Sequence, residues 1–166
     1  MNEEHPRDQE IKTSFAILVT SDTRKKLTDR TGKKAIELIE NKGHKVVLYD
    51  LVPNERQGIE NWINKFLVSE ATVALTSGGT GLGTKDMTVE ITSEIFEKEI
   101  PGFGEHFRRI SYEQIGTPGL WSRSTAGLTQ GKIIFCLPGS TGGIETALNE
   151  IILPGIGHML WEIRRK

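Results

Sequence analysis

Residues 72–86 read TVALTSGGTGLGTKD, and this stretch does most to decide the fold. Its first part, Thr72–Thr76, is a short run of apolar and β-branched residues that lacks a strict alternation of polar and apolar positions. Runs of this kind are typical of strands buried on both faces, as in a parallel sheet. The glycine-rich part that follows predicts a tight turn, and the pattern after it predicts a helix over Thr88–Ile95.

The same alternation of strand and helix extends along the chain. Three other short runs are rich in β-branched residues, namely Phe15–Thr20, Lys45–Leu51 and Lys132–Leu137. Helical periodicity occupies stretches between and after them, at Arg30–Asn41, Ile59–Val68 and Gly143–Ile152. Repeated strand and helix units predict an α/β fold in which helices cover both faces of the sheet.

The segment Pro101–Ser124 is less regular, because it contains several glycine and proline residues. We predict one helix near Glu105–Ser111 and an ordered loop after it. The aromatic residues Phe103, Phe107 and Trp121 either belong to the core or pack between subunits, and burial in the core is the more frequent outcome.

Length and composition bound the class of protein. A chain of 166 residues fits one domain, and we expect a flexible segment over residues 1–12 and a single domain over residues 13–166. A net charge of -1 does not indicate a nucleic-acid partner, and no stretch approaches the roughly 20 apolar residues of a membrane span. We therefore expect a cytoplasmic protein whose one cysteine, Cys136, is a buried strand residue.

Polar and glycine-rich loops follow all four predicted strands. They are Thr20–Asp22, Pro53–Glu55, Ser77–Asp86 and Pro138–Gly143. Ligands of open α/β sheets bind beyond the carboxyl ends of the strands, and parallel strands bring these ends to one edge. The sequence therefore predicts one ligand site at this edge, built from small, hydroxylated and glycine residues.

The loop that contains glycines 78, 79, 81 and 83 is the strongest local signal for a ligand. Glycine lets the backbone turn tightly, so that amides can point at phosphate oxygens. The loop lacks the Gly-Lys-Ser/Thr of a Walker A motif, and its glycine spacing is one residue short of the dinucleotide-binding fingerprint. It is either a phosphate-binding loop or a plain strand-to-helix turn, and Pro138–Gly143 is a second candidate of the same kind.

Charged residues near the glycine loop have two interpretations each. Asp86 precedes a predicted helix, where it is either a cap or a ligand of Mg²⁺, which prefers oxygen ligands and bridges phosphates. Glu90 lies one helical turn further on and is a candidate partner of Asp86. Arg123 either binds a phosphate through its guanidinium group or forms an ion pair. The histidines are scattered, and no spacing indicates a zinc site or a nucleophilic triad.

The sequence Leu75–Gly81, followed by Asp86–Thr88, resembles the signature of the MoaB/Mog family of molybdenum cofactor biosynthesis. In that signature a Gly-Gly-Thr-Gly loop precedes Asp-x-Thr. The resemblance extends over nearly the whole chain after the first dozen residues. Further segments agree with the MoaB branch in particular, namely Gly102–Glu105, Phe107–Arg108, Ile115–Gly116, Ser122–Arg123 and Pro138–Ser140.

The resemblance implies a three-layer α/β fold with a mostly parallel central sheet, assembled as a homotrimer or hexamer. It implies adenylyl transfer from MgATP to the phosphate of molybdopterin, giving adenylylated molybdopterin and pyrophosphate in molybdenum or tungsten cofactor synthesis. By position, it assigns Asp86 to catalysis and Mg²⁺ binding, and Ser21 and Asp22 to the pterin. The residues that it assigns to the nucleotide are Gly78, Gly79, Thr80, Gly81, Ser122, Pro138, Gly139 and Ser140.

One departure from the family concerns the loop after the second strand. The Mog branch has a Pro-Asp pair whose aspartate is important for activity, whereas this chain has Pro53–Asn54. Asn54 carries no charge for metal or base chemistry, and the adjacent Glu55 is a candidate substitute. Two hypotheses follow, an active adenylyltransferase and a non-catalytic subunit that binds molybdopterin or nucleotide. A general nucleotide hydrolase is a weaker third, because no water-positioning residue or Walker lysine is identifiable.

Overall fold

The computed structural model describes residues 11–165. Within this range the strands are β1 (Ser14–Thr20), β2 (Lys45–Val52), β3 (Val73–Ser77), β4 (Lys98–Glu99), β5 (Thr125–Thr129) and β6 (Lys132–Leu137). The α-helices in the same range are α1 (Arg30–Asn41), α2 (Arg56–Val68), α3 (Thr88–Ser93), α4 (Pro101–Ile115), α5 (Thr141–Thr146) and α6 (Leu153–Arg164). Short 3-10 turns cover Lys26–Thr28 and Thr117–Trp121, and a π-helical segment, Ala147–Ile152, joins α5 to α6.

The strands form one sheet in the order β2-β1-β3-β6-β5-β4. The first four strands of this order are parallel, and they correspond to the runs that the sequence identifies. β5 pairs antiparallel with β6, and the two-residue β4 pairs antiparallel with β5. The prediction of a mostly parallel sheet is therefore confirmed, with an antiparallel extension at one edge that the sequence analysis does not predict.

The antiparallel strand β5 has a weak sequence pattern for a physical reason. Its central residue is Gly127, which has low strand propensity, and the ring of Phe96 occupies the space that a side chain at this position would need. The turn from β5 to β6 consists of Gln130 and Gly131, whose φ angles are both positive, at 50° and 72°. Such turns favour hairpins, but Gln-Gly is a weaker signal than Asn-Gly.

Both faces of the sheet are covered, which explains the continuous apolar runs. In β1, Phe15, Ile17 and Val19 pack into one hydrophobic cluster, which also contains buried residues of α1, α4, α5 and α6. Ala16 and Leu18 point to the other face, where they pack against α2 and α3. The three-layer α/β fold is confirmed.

The helix α4 is longer than predicted and replaces most of the segment expected to be irregular. It begins at Pro101, because proline suits the first position of a helix, where its missing N–H is not needed. Gly104 permits close packing, since a Cβ here would lie 2.5 Å from the backbone oxygen of Ser124. Phe103 and Phe107 are buried in the core, whereas Trp121 is 58% exposed.

The last helical run also extends further than the periodicity predicts. Pro154 lacks an N–H, and in a regular α-helix its ring would meet the carbonyl group of Glu150. The π-helical segment Ala147–Ile152 lies just before this proline and widens the helix there, so that α6 continues after it.

Several expectations concern the chain as a whole. No helix within residues 11–165 is long and apolar enough to cross a membrane. Cys136 is a fully buried residue of β6, as predicted. Most of the segment 1–12, which is expected to be flexible, lies outside the described residues, and Ile11 packs against the core.

A buried carboxylate holds α1 against β2. Asp29 is fully buried and caps α1, accepting hydrogen bonds from the backbone N–H groups of Thr31 and Gly32, both at 3.1 Å. The hydroxyl group of Tyr49 in β2 donates to the same carboxylate at 2.6 Å. The pKa of Tyr49 lies well above its ordinary value. Burial is the larger cause, and the hydrogen bond with Asp29 is the second. One side chain therefore fixes both the start of a helix and its contact with the sheet.

We expect Asp29→Ala to lower the free energy of unfolding by about 2–3 kcal/mol, because two helix amides and a hydroxyl group lose their acceptor. Asp50→Ala is the control, since Asp50 makes a more exposed ion pair with Lys26 at 3.4 Å. The control should change the free energy by about 0.5 kcal/mol or less. Urea denaturation of both variants measures the difference, and equal losses would contradict the role of Asp29.

Candidate functional site

The loops that follow the four parallel strands surround one cavity of about 630 Å³. Its walls come from the chain after β1, β2, β3 and β6, together with the turn that follows α4. The lining residues are Thr20, Ser21, Asp22, Thr23, Arg24, Asn54, Gly78, Gly79, Thr80, Gly81, Leu82, Asp86, Pro118, Trp121, Ser122, Pro138 and Gly139. The predicted convergence of these loops at one edge is therefore present in the fold.

Most of the residues that the sequence assigns to a site line this cavity. Ser21, Asp22, Asn54, Asp86, Ser122 and the loop Gly78–Gly81 do so, as do Pro138 and Gly139. Four other assigned residues lie outside the lining, namely Ser140, Glu55, Glu90 and Arg123.

The glycine loop has a backbone that only glycine adopts easily. Gly78 and Gly79 have φ angles of +108° and +72°. A Cβ at Gly78 would also lie 2.5 Å from the hydroxyl oxygen of Thr20 in β1. The positive φ angles allow the chain to turn sharply directly after β3. The small size of Gly78 allows the loop to lie close to the end of β1.

Three carbonyl groups of this loop are bound within the protein, whereas three of its amides are not. The backbone N–H of Thr88 donates to Gly79 O at 3.2 Å, and that of Arg123 donates to Thr80 O at 2.9 Å. The guanidinium group of Arg123 donates to Gly81 O at 2.9 Å. Within residues 11–165, the N–H groups of Gly79, Thr80 and Gly81 have no acceptor. They are therefore available to an anion in the cavity.

Asp86 closes the glycine loop instead of capping the helix that follows it. Its carboxylate oxygen Oδ2 accepts a hydrogen bond from Gly83 N at 2.8 Å, and no side chain caps α3. A Cβ at Gly81 would lie 2.8 Å from the same oxygen, so the glycine leaves room for the carboxylate. Oδ1 accepts no hydrogen bond from any described residue, which leaves it open to a ligand.

Asp22 connects three of the four loops. Its carboxylate accepts a hydrogen bond from the backbone N–H of Asn54 at 2.9 Å and forms an ion pair with Lys85 at 3.1 Å. The pKa of Asp22 lies below its ordinary value of 3.8. The hydrogen bond from the Asn54 amide is the larger cause, and the contact with Lys85 is the second. The side chain assigned to the pterin therefore also ties the loops after β1, β2 and β3 together.

Arg123 and Glu90 form an ion pair behind the glycine loop, so the ion-pair interpretation of Arg123 describes this structure. The pair lowers the pKa of Glu90, chiefly through the hydrogen bond with the guanidinium group. Glu90 is thus a partner of Arg123, and the structure records no hydrogen bond between the Glu90 and Asp86 side chains.

Two other assigned residues mark the starts of helices. Ser140 is the N-cap of α5, and its hydroxyl oxygen accepts a hydrogen bond from Gly143 N at 3.1 Å. Glu55 precedes α2 and is exposed, and its side chain makes no cap hydrogen bond.

Arg24 and Trp121 are among the lining residues that the sequence does not assign to the site. Arg24 donates to Gly139 O at 3.0 Å and to the hydroxyl group of Thr31 at 3.2 Å, so it joins the first loop to the last. The indole ring of Trp121 lies at the rim and is mostly exposed. The position of Arg24, two residues after Asp22, is a signal that could have identified it.

Comparison with known proteins gives the same family in sequence and in structure. Residues 16–158 match a family described as "Probable molybdopterin binding domain". Molybdenum cofactor biosynthesis protein B of Bacillus subtilis is 38% identical over 165 residues, which cover 98% of this chain and 97% of that protein. A crystal structure of molybdenum cofactor biosynthesis protein B has a TM-score of 0.91 at 38% identity and covers 95% of this chain and 99% of that chain. The crystal structure of the tungsten cofactor synthesizing protein MoaB from Pyrococcus furiosus has a TM-score of 0.84 at 33% identity, covering 93% and 98% of the two chains.

The matched region contains residues 16–20 of β1 and all of β2 to β6, and all the residues that line the cavity lie within it. The chain therefore belongs to the MoaB/Mog family of molybdenum cofactor biosynthesis, as the resemblance in its sequence predicts.

We expect Asp22→Ala to speed hydrogen exchange of the Asn54 amide, because this amide loses its acceptor. Lys85→Ala is the control, since it removes the ion pair and leaves the hydrogen bond between Asn54 and Asp22. The depressed pKa of Asp22 means that the contact persists above pH 3.8 and is lost as the pH falls through the lower value in the folded protein. Exchange measured by mass spectrometry tests this, and identical rates in both variants would contradict it.

Proposed function

We propose that this protein transfers the adenylyl group of MgATP to the phosphate of molybdopterin, as a step in molybdenum or tungsten cofactor synthesis. The observation that carries the proposal is the glycine loop, whose free amides line the cavity beside the open oxygen of Asp86. Membership of the MoaB/Mog family and the names of the relatives support the choice of pathway.

The reaction needs positioning more than it needs a protein nucleophile. An oxygen of the molybdopterin phosphate attacks the α-phosphorus of ATP, the bond from this phosphorus to the bridging oxygen breaks, and pyrophosphate leaves with the electron pair. The N–H groups of Gly79, Thr80 and Gly81 are placed to hold phosphate oxygens during this exchange.

The residues present fit a magnesium ion that arrives with the nucleotide. Within residues 11–165, no group of three or more histidine, cysteine, aspartate or glutamate side chains could hold a metal. Mg²⁺ is commonly bound by one or two carboxylates together with substrate phosphates and water, and Asp86 supplies one carboxylate beside the phosphate loop. When bound, the ion would neutralise charge on the phosphates and orient the α-phosphate.

The remaining walls of the cavity divide between the two substrates. Ser122, Pro138 and Gly139 complete the nucleotide side with the glycine loop, and Ser140 stands next to them at the start of α5. Ser21 and Asp22 lie toward the pterin.

We also propose a cytoplasmic homotrimer or hexamer. Exposed apolar side chains near the end of α4, such as Ile115 at 63% exposure, support self-association, which sedimentation analysis would measure.

The direct test is to incubate the purified protein with molybdopterin, ATP and magnesium chloride. Mass spectrometry should detect adenylylated molybdopterin and pyrophosphate, and a chelator should abolish both products. Absence of product from a folded protein would refute the adenylyltransferase activity.

Asp86→Ala should lower transfer by at least about a hundredfold while the fold stays intact, because a charge beside the reacting phosphates is lost. Asp86→Asn sharpens the test, since it keeps an oxygen acceptor for Gly83 and removes the charge. Glu70→Ala is the control, because this carboxylate is exposed and lies outside the cavity. Circular dichroism checks the fold. Retained turnover in both Asp86 variants would contradict a metal role for Asp86.

A second candidate function is a non-catalytic subunit that binds molybdopterin or nucleotide. It is favoured by Asn54, an uncharged residue that lines the cavity where the Mog branch has an aspartate. A protein that binds ATP or molybdopterin tightly and forms no product would support this candidate.

Asn54→Asp should raise turnover if the protein is an adenylyltransferase that lacks one useful charge. Its new carboxylate would stand beside Asp22, which already accepts a hydrogen bond from the backbone of this residue. Asn54→Ala is the matched control, because it removes the amide side chain without adding charge. The initial rate of pyrophosphate release measures the effect. Unchanged turnover would show that a second carboxylate at this position is not limiting.

A further inference from the structure

Arg123 makes an unusual set of contacts for a residue outside the cavity. Its backbone N–H donates to Thr80 O at 2.9 Å, its Nε donates to Gly81 O at 2.9 Å, and its Nη2 donates to Asp86 O at 3.2 Å. The carboxylate of Glu90 holds the guanidinium group from another side, through an ion pair to Nη1 and a contact of 3.4 Å to Nη2. Arg123 is therefore bound to the glycine loop both through its backbone and through its guanidinium group.

These contacts fix the orientation of two peptide planes. In a trans peptide, the carbonyl group of one residue and the N–H of the next point in opposite directions. Because Thr80 O and Gly81 O are both bound by Arg123, the N–H groups of Gly81 and Leu82 point away from Arg123. Both residues line the cavity, and neither N–H has an acceptor within residues 11–165.

The same guanidinium group joins the two sides of the glycine loop. It binds the carbonyl oxygens of Gly81 and Asp86, which flank the exposed turn Leu82–Lys85. The backbone of Asp86 is therefore tied to that of Gly81, and the Asp86 carboxylate is bound to Gly83 N within the same loop. A change in the contacts of Arg123 would move both the anion donors and the candidate metal ligand.

The charge of Arg123 is not directed at the cavity. Its guanidinium group is paired with Glu90, and Arg123 is absent from the residues that line the cavity. Its backbone N–H holds Thr80 O, and its rigid, planar guanidinium group holds the carbonyl oxygens of Gly81 and Asp86 at the same time. Lysine has the same charge but only one ammonium group, so it cannot reproduce this geometry.

We propose that Arg123 is a positioning residue that turns the N–H groups of Gly81 and Leu82 toward the cavity as donors for a polyphosphate anion. It acts through the carbonyl groups of the loop and does not touch the anion. The inference deepens the proposed function, because the phosphates of a nucleotide are the anion that it would hold there.

The test measures binding of inorganic pyrophosphate and needs no turnover. Calorimetry with pyrophosphate, in the presence and absence of magnesium chloride, is carried out on the wild type, Arg123→Lys and Glu90→Ala. Arg109→Lys is the control, because Arg109 pairs with Glu113 at 2.9 Å on the exposed side of α4 and touches no loop residue. Hydrogen exchange of peptides that cover residues 78–84 is followed with and without pyrophosphate.

We expect Arg123→Lys to weaken pyrophosphate binding by about tenfold, because the Leu82 amide loses its orientation, while the backbone N–H of residue 123 still holds Thr80 O. Pyrophosphate should slow exchange over residues 78–84 in the wild type and in Arg109→Lys, and this protection should be lost in Arg123→Lys. Glu90→Ala separates the two possible roles of Arg123 by the sign of its effect. If Arg123 only orients the loop, Glu90→Ala should lower the affinity for pyrophosphate. If the guanidinium group binds the anion directly, loss of its partner carboxylate should raise that affinity.

The proposal is overturned if Arg123→Lys binds pyrophosphate as the wild type does, if Glu90→Ala binds it more tightly, or if the wild type does not bind it. These results are independent of adenylyl transfer. A wild type that binds pyrophosphate with the expected dependence on Arg123, but forms no adenylylated molybdopterin, would refute the proposed function and leave the role of Arg123 intact.

Discussion

Burial of the parallel strands on both faces is the constraint on which the rest of this structure depends. Residues 15–19 of β1 are fully buried, and neighbouring residues of the strand belong to two different hydrophobic clusters. No ligand can reach such a strand from the side. The polar groups that serve a ligand therefore occur where the strands end, and the parallel arrangement brings these ends together.

The loops at this edge are held by contacts between loops more than by regular structure. Asp22 binds the loop after β2 and the loop after β3, while Arg24 binds the loop after β6. Arg123 joins the turn after α4 to the glycine loop. A change at any of these side chains affects more than one wall of the cavity. A substitution in one loop can therefore alter binding at another loop.

Much of the fold follows from local sequence, and the part that does not follow has a physical explanation. The four parallel strands are evident because double burial requires continuous apolar runs. β5 is not evident, because Gly127 makes room for Phe96 and this need arises only from the packing of distant residues. The position of Asp86 beside the glycine loop follows from the sequence. The binding of Arg123 to Gly81 does not, because the two residues are 42 positions apart and meet only in the folded chain.

The short strand β4 has a consequence for how copies of this protein can meet. It forms one edge of the sheet and consists of two exposed charged residues, Lys98 and Glu99. A short, charged edge offers little template for a further strand, so the sheet resists growth by edge-to-edge addition here. Association of copies is thereby directed to side-chain surfaces, and the edge protects the protein against the open-ended strand pairing that leads to aggregation.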